Sequence, residues 1–334
     1  TVGANSIFDT GSDRDLTVTG TCTLNGGTFT GNASTVSHGV LTISSGTYNA
    51  SSGTTTLNGT ADVGMRVDGT FNNNDGTFVI DGSITKVQMG SIGGAPTGFS
   101  INNAPFHHLT INDSINFAWA DKTLFNVEGD LIVAAGQTLG ANNTNGGIKV
   151  LGNVTLNGQL GNSNLTNDCE FGSLTINSGG TYNATSGTTT ITKDSGAGSS
   201  SNRAAFCHAS GTFTHNNGLF KTTQGNADVE FTSQSETNNP FYDFEATQYA
   251  IAATAPWVVL NNMTIANGFQ FNGSGGYAKV YGIMKQTGGT YNASDVSSST
   301  DHFFNHYKLE GGTLDLSNID ITVGSIRNTG GTIS

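Results

Sequence analysis

The sequence predicts an all-β chain folded as a parallel β-helix, a solenoid whose rungs take about 20–25 residues each, and three observations carry that expectation. The first is composition. Glycine accounts for 47 of the 334 residues, and Thr, Ser and Asn bring the four types to roughly half the chain, well above ordinary usage. Only 11% of residues are charged, so the Glu and Lys that favour exposed helices are scarce, whereas Thr and aromatic residues favour strands. The second is a short period: alternating apolar pairs return at Leu109/Ile111, Leu131/Val133, Val154/Leu156 and Leu174/Ile176. Such brief, regularly spaced pairs suit stacked rungs better than long hairpins. The third is a long repeat, GTYNASSGTTTLNG from Gly46 and GTYNATSGTTTITK from Gly180, an internal duplication at an offset of about 134 residues.

Along the chain, the elements follow one pattern of Gly, Thr, aromatic, then Asn or Thr. It opens as GGTFTGNAS at Gly26, continues as DGTFNNNDGTF at Asp68 and SGTFTHNNGLF at Ser210, and returns as GGTYNAS at Gly288. In each, the Thr-aromatic pair reads as a short strand with one side chain inward. The Gly and Asn that follow supply the left-handed backbone that a rung corner needs. A second landmark, Pro105-Phe106 in NNAPFHHLTIN, recurs as Pro240-Phe241 in NNPFYDFEAT, each followed by a tryptophan, Trp119 and Trp257. The whole chain, 1–334, therefore reads as one β-solenoid with long repeats over roughly 46–179 and 180–334. A tandem of β-sandwiches would tolerate the long repeat but not the short period.

Several function classes are disfavoured by charge and motif. With 12 Lys and Arg against 24 Asp and Glu, the formal net charge is −12, a poor basis for neutralising phosphates, so no nucleic-acid partner is expected. There is no apolar run of spanning length and no basic, apolar leader at the N-terminus, so neither membrane insertion nor a signal peptide is expected. The chain starts without Met, as a processed or excised product would, and ends at SIRNTGGTIS with no sequence recognisable as a cap, as if another chain or more sequence covered the last rung. Cys22, Cys169 and Cys207 are too dispersed for a CxxC knuckle and odd in number, so they read as buried free thiols.

Parallel β-helices include polysaccharide hydrolases and lyases, but no catalytic residue can be named here. There is no Asp-Asp pair, the one His-Gly is His38-Gly39 preceded by Ser37, and the arginines Arg14, Arg66, Arg203 and Arg327 are scattered. Nor is there a GxSxG elbow, since Ser274 lies in NGSGG. Carboxylates about one rung apart could still stack into a dyad, which keeps a β-helical hydrolase or lyase as the alternative. His302 and His306 have a helical ligand spacing, but a strand or loop would separate them. His107 and His108, replaced by Tyr242 and Asp243 in the duplicate, read as surface residues. For cations, Asp9, Asp13 and Asp15 in DTGSDRD form a candidate Ca2+ loop without the EF-hand order. Trp119 and Trp257 are candidate surface contacts for sugar rings, against a structural role in closing a bulged coil.

In GTYNASSGTTTLNG, PFHHLTIN and VEGDLIVAAGQTLG the chain resembles the Thr/Asn/Gly-rich β-helical repeats of bacterial surface adhesins and of structural fibre proteins from marine bacteriophages. The likeness runs from about residue 16 to 332 and is one of pattern and composition. It implies an extracellular, cell-surface or virion-borne fibre subunit without catalytic activity. The implied partners are copies of the chain, head-to-tail or as a trimer, adjoining fibre segments, and cell-surface glycans. A monomeric carbohydrate-binding module is a further alternative.

Overall fold

The computed structural model describes residues 1–12, 14–89, 106–119, 124–142, 146–192, 207–223, 227–231, 234–248, 250–253, 257–272, 277–292, 302–316 and 321–334. Every regular element among them is a β-strand, from Val2–Gly3 to Thr332–Ile333. The chain divides into two compact units, Thr1–Thr166 and Asn167–Ser334. Each is a parallel β-solenoid with rungs of about 22 residues.

In the first unit, one column of hydrogen-bonded partners runs through Leu16, Val36, Thr55, Phe78, Leu109, Leu131 and Val154. A second runs through Cys22, Leu41, Met65, Val87, Phe117 and Ala141. A third holds Phe8, Phe29, Tyr48 and Phe71. In the second unit, an equally regular column links Cys169, Thr189, Phe220, Phe244, Met263, Met284, Tyr307 and Ile326. The apolar pairs legible in the sequence are thus inward positions of successive rungs. The steps that span residues 90–105 or 193–206 are longer than the others, among them Phe78 to Leu109, Val87 to Phe117, Leu174 to Cys207 and Thr189 to Phe220.

The strands alternate as their sequences require. Thr54–Leu57, Thr77–Ile80 and His108–Ile111 place every second residue inward, as do Thr188–Ile191, Leu219–Thr222 and Asp243–Ala246. Two inward side chains per strand suffice for a thin core because each also contacts the same position one rung away. The rung spacing of about 4.8 Å suits flat rings. Phe8, Phe29, Tyr48 and Phe71 accordingly stack with interplanar angles of 3°, 7° and 4°.

The tyrosines bring hydroxyls into this core, and each finds a partner. His38 Nε2 lies 2.8 Å from the Tyr48 hydroxyl, Thr189 Oγ1 lies 2.8 Å from that of Tyr182, and His302 Nδ1 lies 2.9 Å from that of Tyr291. A buried hydroxyl left without such a partner would cost about 1–3 kcal/mol. At the corners, Asn74 and Asp75 have φ of 49° and 57°, and Asn216 and Asn217 have 47° and 60°. The glycines that follow, Gly76 and Gly218, pass so close to the preceding rung that a Cβ would run into the carbonyl oxygens of Ser51 and Thr185. Close approach between rungs, rather than positive φ, explains the glycine at these two places.

Candidate functional site: an aromatic and carboxylate platform

The residues singled out in the sequence are dispersed. Asp9 Oδ1 accepts the Gly11 amide at 2.7 Å and the Asn32 side-chain amide at 2.6 Å, and Asp15 Oδ1 accepts the Thr35 amide at 3.2 Å. These carboxylates tie turns to the next rung. Asp13 lies outside the described residues. Trp257 is 2% exposed, wedged against Phe241, Phe244 and Phe269, so it is a core residue rather than a surface contact. Trp119 pairs with Met89 in its strand, and its side chain is outside the described set. Cys22 and Cys169 are buried thiols outside any disulfide, and burial pushes the Cys22 thiol up; the Cys207 side chain is not described. His302 is buried while His306 is exposed and sits 2.7 Å from Ser325 Oγ, so the strand separates the two histidines.

The surface aromatics that the structure does bring together lie in the second unit. In Ala278–Gln286, Ala278, Val280, Met284 and Gln286 point inward and Lys279, Tyr281, Ile283 and Lys285 outward, with a register shift between Val280 and Ile283. Ordinary alternation along the strand turns both Tyr281 and Ile283 outward, at 37% and 44% exposure. On the next rung Phe303 pairs with Lys279, and its ring lies 5.4 Å from Tyr281 at 47°. The Lys279 ammonium sits 5.6 Å from the centroid of Tyr277, within cation–π range.

A loop carries the polar edge. Gln234 and Asn239 are 3% and 6% exposed. Gln234 accepts the Val258 amide at 3.1 Å and donates to the Asn239 carbonyl at 2.8 Å, while Asn239 accepts the Phe213 amide at 2.8 Å. With its base clamped, the loop presents exposed Glu236 to Lys279 Nζ at 3.2 Å and to the Tyr281 hydroxyl, which donates to the same oxygen. That hydrogen bond, with Lys279, brings the Glu236 carboxyl down to about 2. Burial first and the carboxylate second push the Tyr281 hydroxyl up to about 12. Glu236 is therefore held as an anionic acceptor at neutral pH. Flat rings with a fixed acceptor and a cation beside them can stack on an apolar sugar face and bond its hydroxyls.

The sequence held a signal for this patch. Tyr281 and Phe303 are one rung apart, and Glu236 precedes Tyr281 by about two rungs. Compared with known proteins, the chain matches no family model, and no curated protein or solved structure matches it. What defines it is the fold itself, an all-β parallel β-solenoid.

Proposed function

We propose that the chain is a non-catalytic structural and adhesive subunit of an extracellular or virion fibre. In this reading it touches cell-surface glycans through the Tyr281–Phe303 platform and assembles with copies of itself or with adjoining fibre segments. The observation that carries the reading is exposed Tyr281 packed on half-buried Phe303 at the surface, with an ionised Glu236 bonded to the Tyr281 hydroxyl. An open platform of this kind suits an internal stretch of a polysaccharide better than a small enclosed ligand. The continuous parallel ladders supply the stiffness expected of a fibre segment.

The test is binding to a panel of immobilised polysaccharides, with Tyr281→Ala and Phe303→Ala beside the parent chain. Retention by at least one glycan, weakened about 10-fold by either substitution, is expected from losing one stacked ring. Equal retention of all three proteins would overturn the glycan-binding part. Electron microscopy across a dilution series tests assembly, where filaments or side-by-side bundles are expected and monodisperse single chains at every concentration would contradict it.

The second reading, polysaccharide hydrolysis, draws on one observation: the Asp75 and Glu128 carboxylates have oxygens within 4.8 Å of one another, close to a retaining pair. Release of reducing ends, lost in Asp75→Asn and Glu128→Gln, would replace the adhesive reading with this one.

A further inference from the structure

The same two carboxylates flank a histidine at one corner of the first unit. Three consecutive rungs meet there. The His108 amide donates to the Gly76 carbonyl at 3.2 Å, the Glu128 amide to Phe106 at 3.0 Å and the Gly129 amide to His107 at 2.6 Å. Asp75, His107 and Glu128 therefore belong to successive rungs at the same corner. His107 Nδ1 lies 3.5 Å from Asp75 Oδ1 and 3.7 Å from Glu128 Oε2. Among the described residues, these are the one group of three such side chains whose ligand atoms all lie within 4.8 Å of one another. Nδ1 is shielded from solvent and makes no hydrogen bond.

We propose that Asp75, His107 and Glu128 bind one divalent first-row transition-metal ion, with zinc the best match. The two measured edges are slightly longer than the separation of about 3.3 Å between ligand atoms of a tetrahedron with bonds near 2.0 Å. Small side-chain rotations close that difference. Two carboxylates and a neutral imidazole carry a charge of −2, which one divalent ion neutralises. The imidazole nitrogen favours zinc and its neighbours in the first row over calcium or magnesium.

The surroundings fix the ligands as outer-sphere groups do in metal sites. Asn73 Oδ1 accepts the Asp75 backbone amide at 3.1 Å while its Nδ2 donates to Glu128 Oε2 at 3.3 Å, so one side chain fixes the turn that carries Asp75 and orients the Glu128 carboxylate. The His108 ring packs edge-on to His107 at 4.5 Å. Its own Nδ1 accepts the Asp130 amide at 3.0 Å, which commits that lone pair elsewhere. Asp75 is 86% exposed, leaving an open entry path and room for a fourth ligand, a water or a group from a partner.

The equivalent corner of the second unit holds Asn217, Tyr242 and Leu260, in place by the same turn and by the matching Phe106–Val127 and Phe241–Val259 bridges. It has no carboxylate among the three, so the expected stoichiometry is one metal per chain.

The experiment is zinc titration of the chelator-stripped full chain by calorimetry, alongside His107→Tyr, which copies the second unit, and Glu128→Gln. One saturable site is expected, weakened at least about 10-fold in each variant. Zinc should raise the Tm of the parent by a few degrees but not that of the variants. Cobalt in place of zinc should give the visible absorption of a four-coordinate site. The proposal is overturned if no saturable zinc site exists, if both variants bind as the parent does, or if calcium binds and zinc does not. Circular dichroism of each variant separates lost ligation from lost fold.

Discussion

Two corners of this molecule have the same backbone and different chemistry. In the first unit the turn Asn73-Asn74-Asp75-Gly76 is fixed by Asn74 Nδ2 donating to the Ala50 carbonyl at 2.8 Å. In the second, His215-Asn216-Asn217-Gly218 is fixed by Asn216 Nδ2 donating to Ala184 at 2.7 Å. Behind both turns lie corresponding buried rings, Phe71, Phe78 and Phe106 in one and Phe213, Phe220 and Phe241 in the other. Yet the outward residues are a histidine between two carboxylates in the first, and Tyr242 stacked on His215 at 5.6 Å in the second. The inward residues and the turn amide set the solenoid, and the outward corner is free to carry function.

If so, equivalent core substitutions should cost the same in both units. The largest effect is expected from Tyr48→Ala and Tyr182→Ala. Each removes a fully buried ring from the core and should lower stability by about 4 kcal/mol in denaturant unfolding. A clear inequality would show that the two cores are not equivalent. Next, Gly76→Ala and Gly218→Ala should each cost about 3 kcal/mol, because the preceding rung's carbonyl must move. Thermal melts of the two variants should shift together.

Among the titratable places at which the interiors differ, His38 gives a sharper contrast. His38 packs edge-on to Tyr48 at 5.7 Å and 70°, and Phe171 packs on Tyr182 at 5.6 Å and 68°. Burial lowers His38 from 6.5 to about 4, and His302 likewise to about 4. The unfolded chain takes up these protons first, so their contribution is whole above pH 6.5, falls as the pH drops toward 4, and levels off below. The loss reaches about 3 kcal/mol per histidine. His38→Phe, copying Phe171, should cost about 1 kcal/mol at pH 7 for the lost Tyr48 hydrogen bond and flatten part of the acid dependence. An unchanged pH profile would contradict the buried neutral state of His38.

The smallest effect is expected at the surface. The second unit pairs Lys221 with Glu245 at 2.8 Å, where the first has Val79 beside Thr110. Lys221→Val with Glu245→Thr should change stability by no more than about 1 kcal/mol.

The rung structure was legible because inward apolar pairs and Gly-Asn corners repeat within each turn, as in Leu109/Ile111 above Leu131/Val133. The histidine corner was not. Asp75 and His107 lie on adjoining rungs, but the step from Phe78 to Leu109 is longer than a regular rung and breaks the spacing that would have aligned them. The substitution of Tyr242 for His107, read in the sequence as the mark of a surface position, is also where the outward chemistry of the two corners differs. Trp257 takes the structural role that the sequence set against a surface contact. Its place after Pro240-Phe241 reflects packing on Phe241, and a tryptophan's size carries no information about which face it takes.

The most direct test of the separation between scaffold and corner is to rebuild the first corner as the second in the full chain, with Asp75→Asn, His107→Tyr and Glu128→Leu together, and to record denaturant unfolding and zinc binding on the same sample. The expected result is an unfolding midpoint within about 1 kcal/mol of the metal-free parent and no saturable zinc site. A chain that fails to fold, or one that folds and still binds zinc as the parent does, would contradict the account.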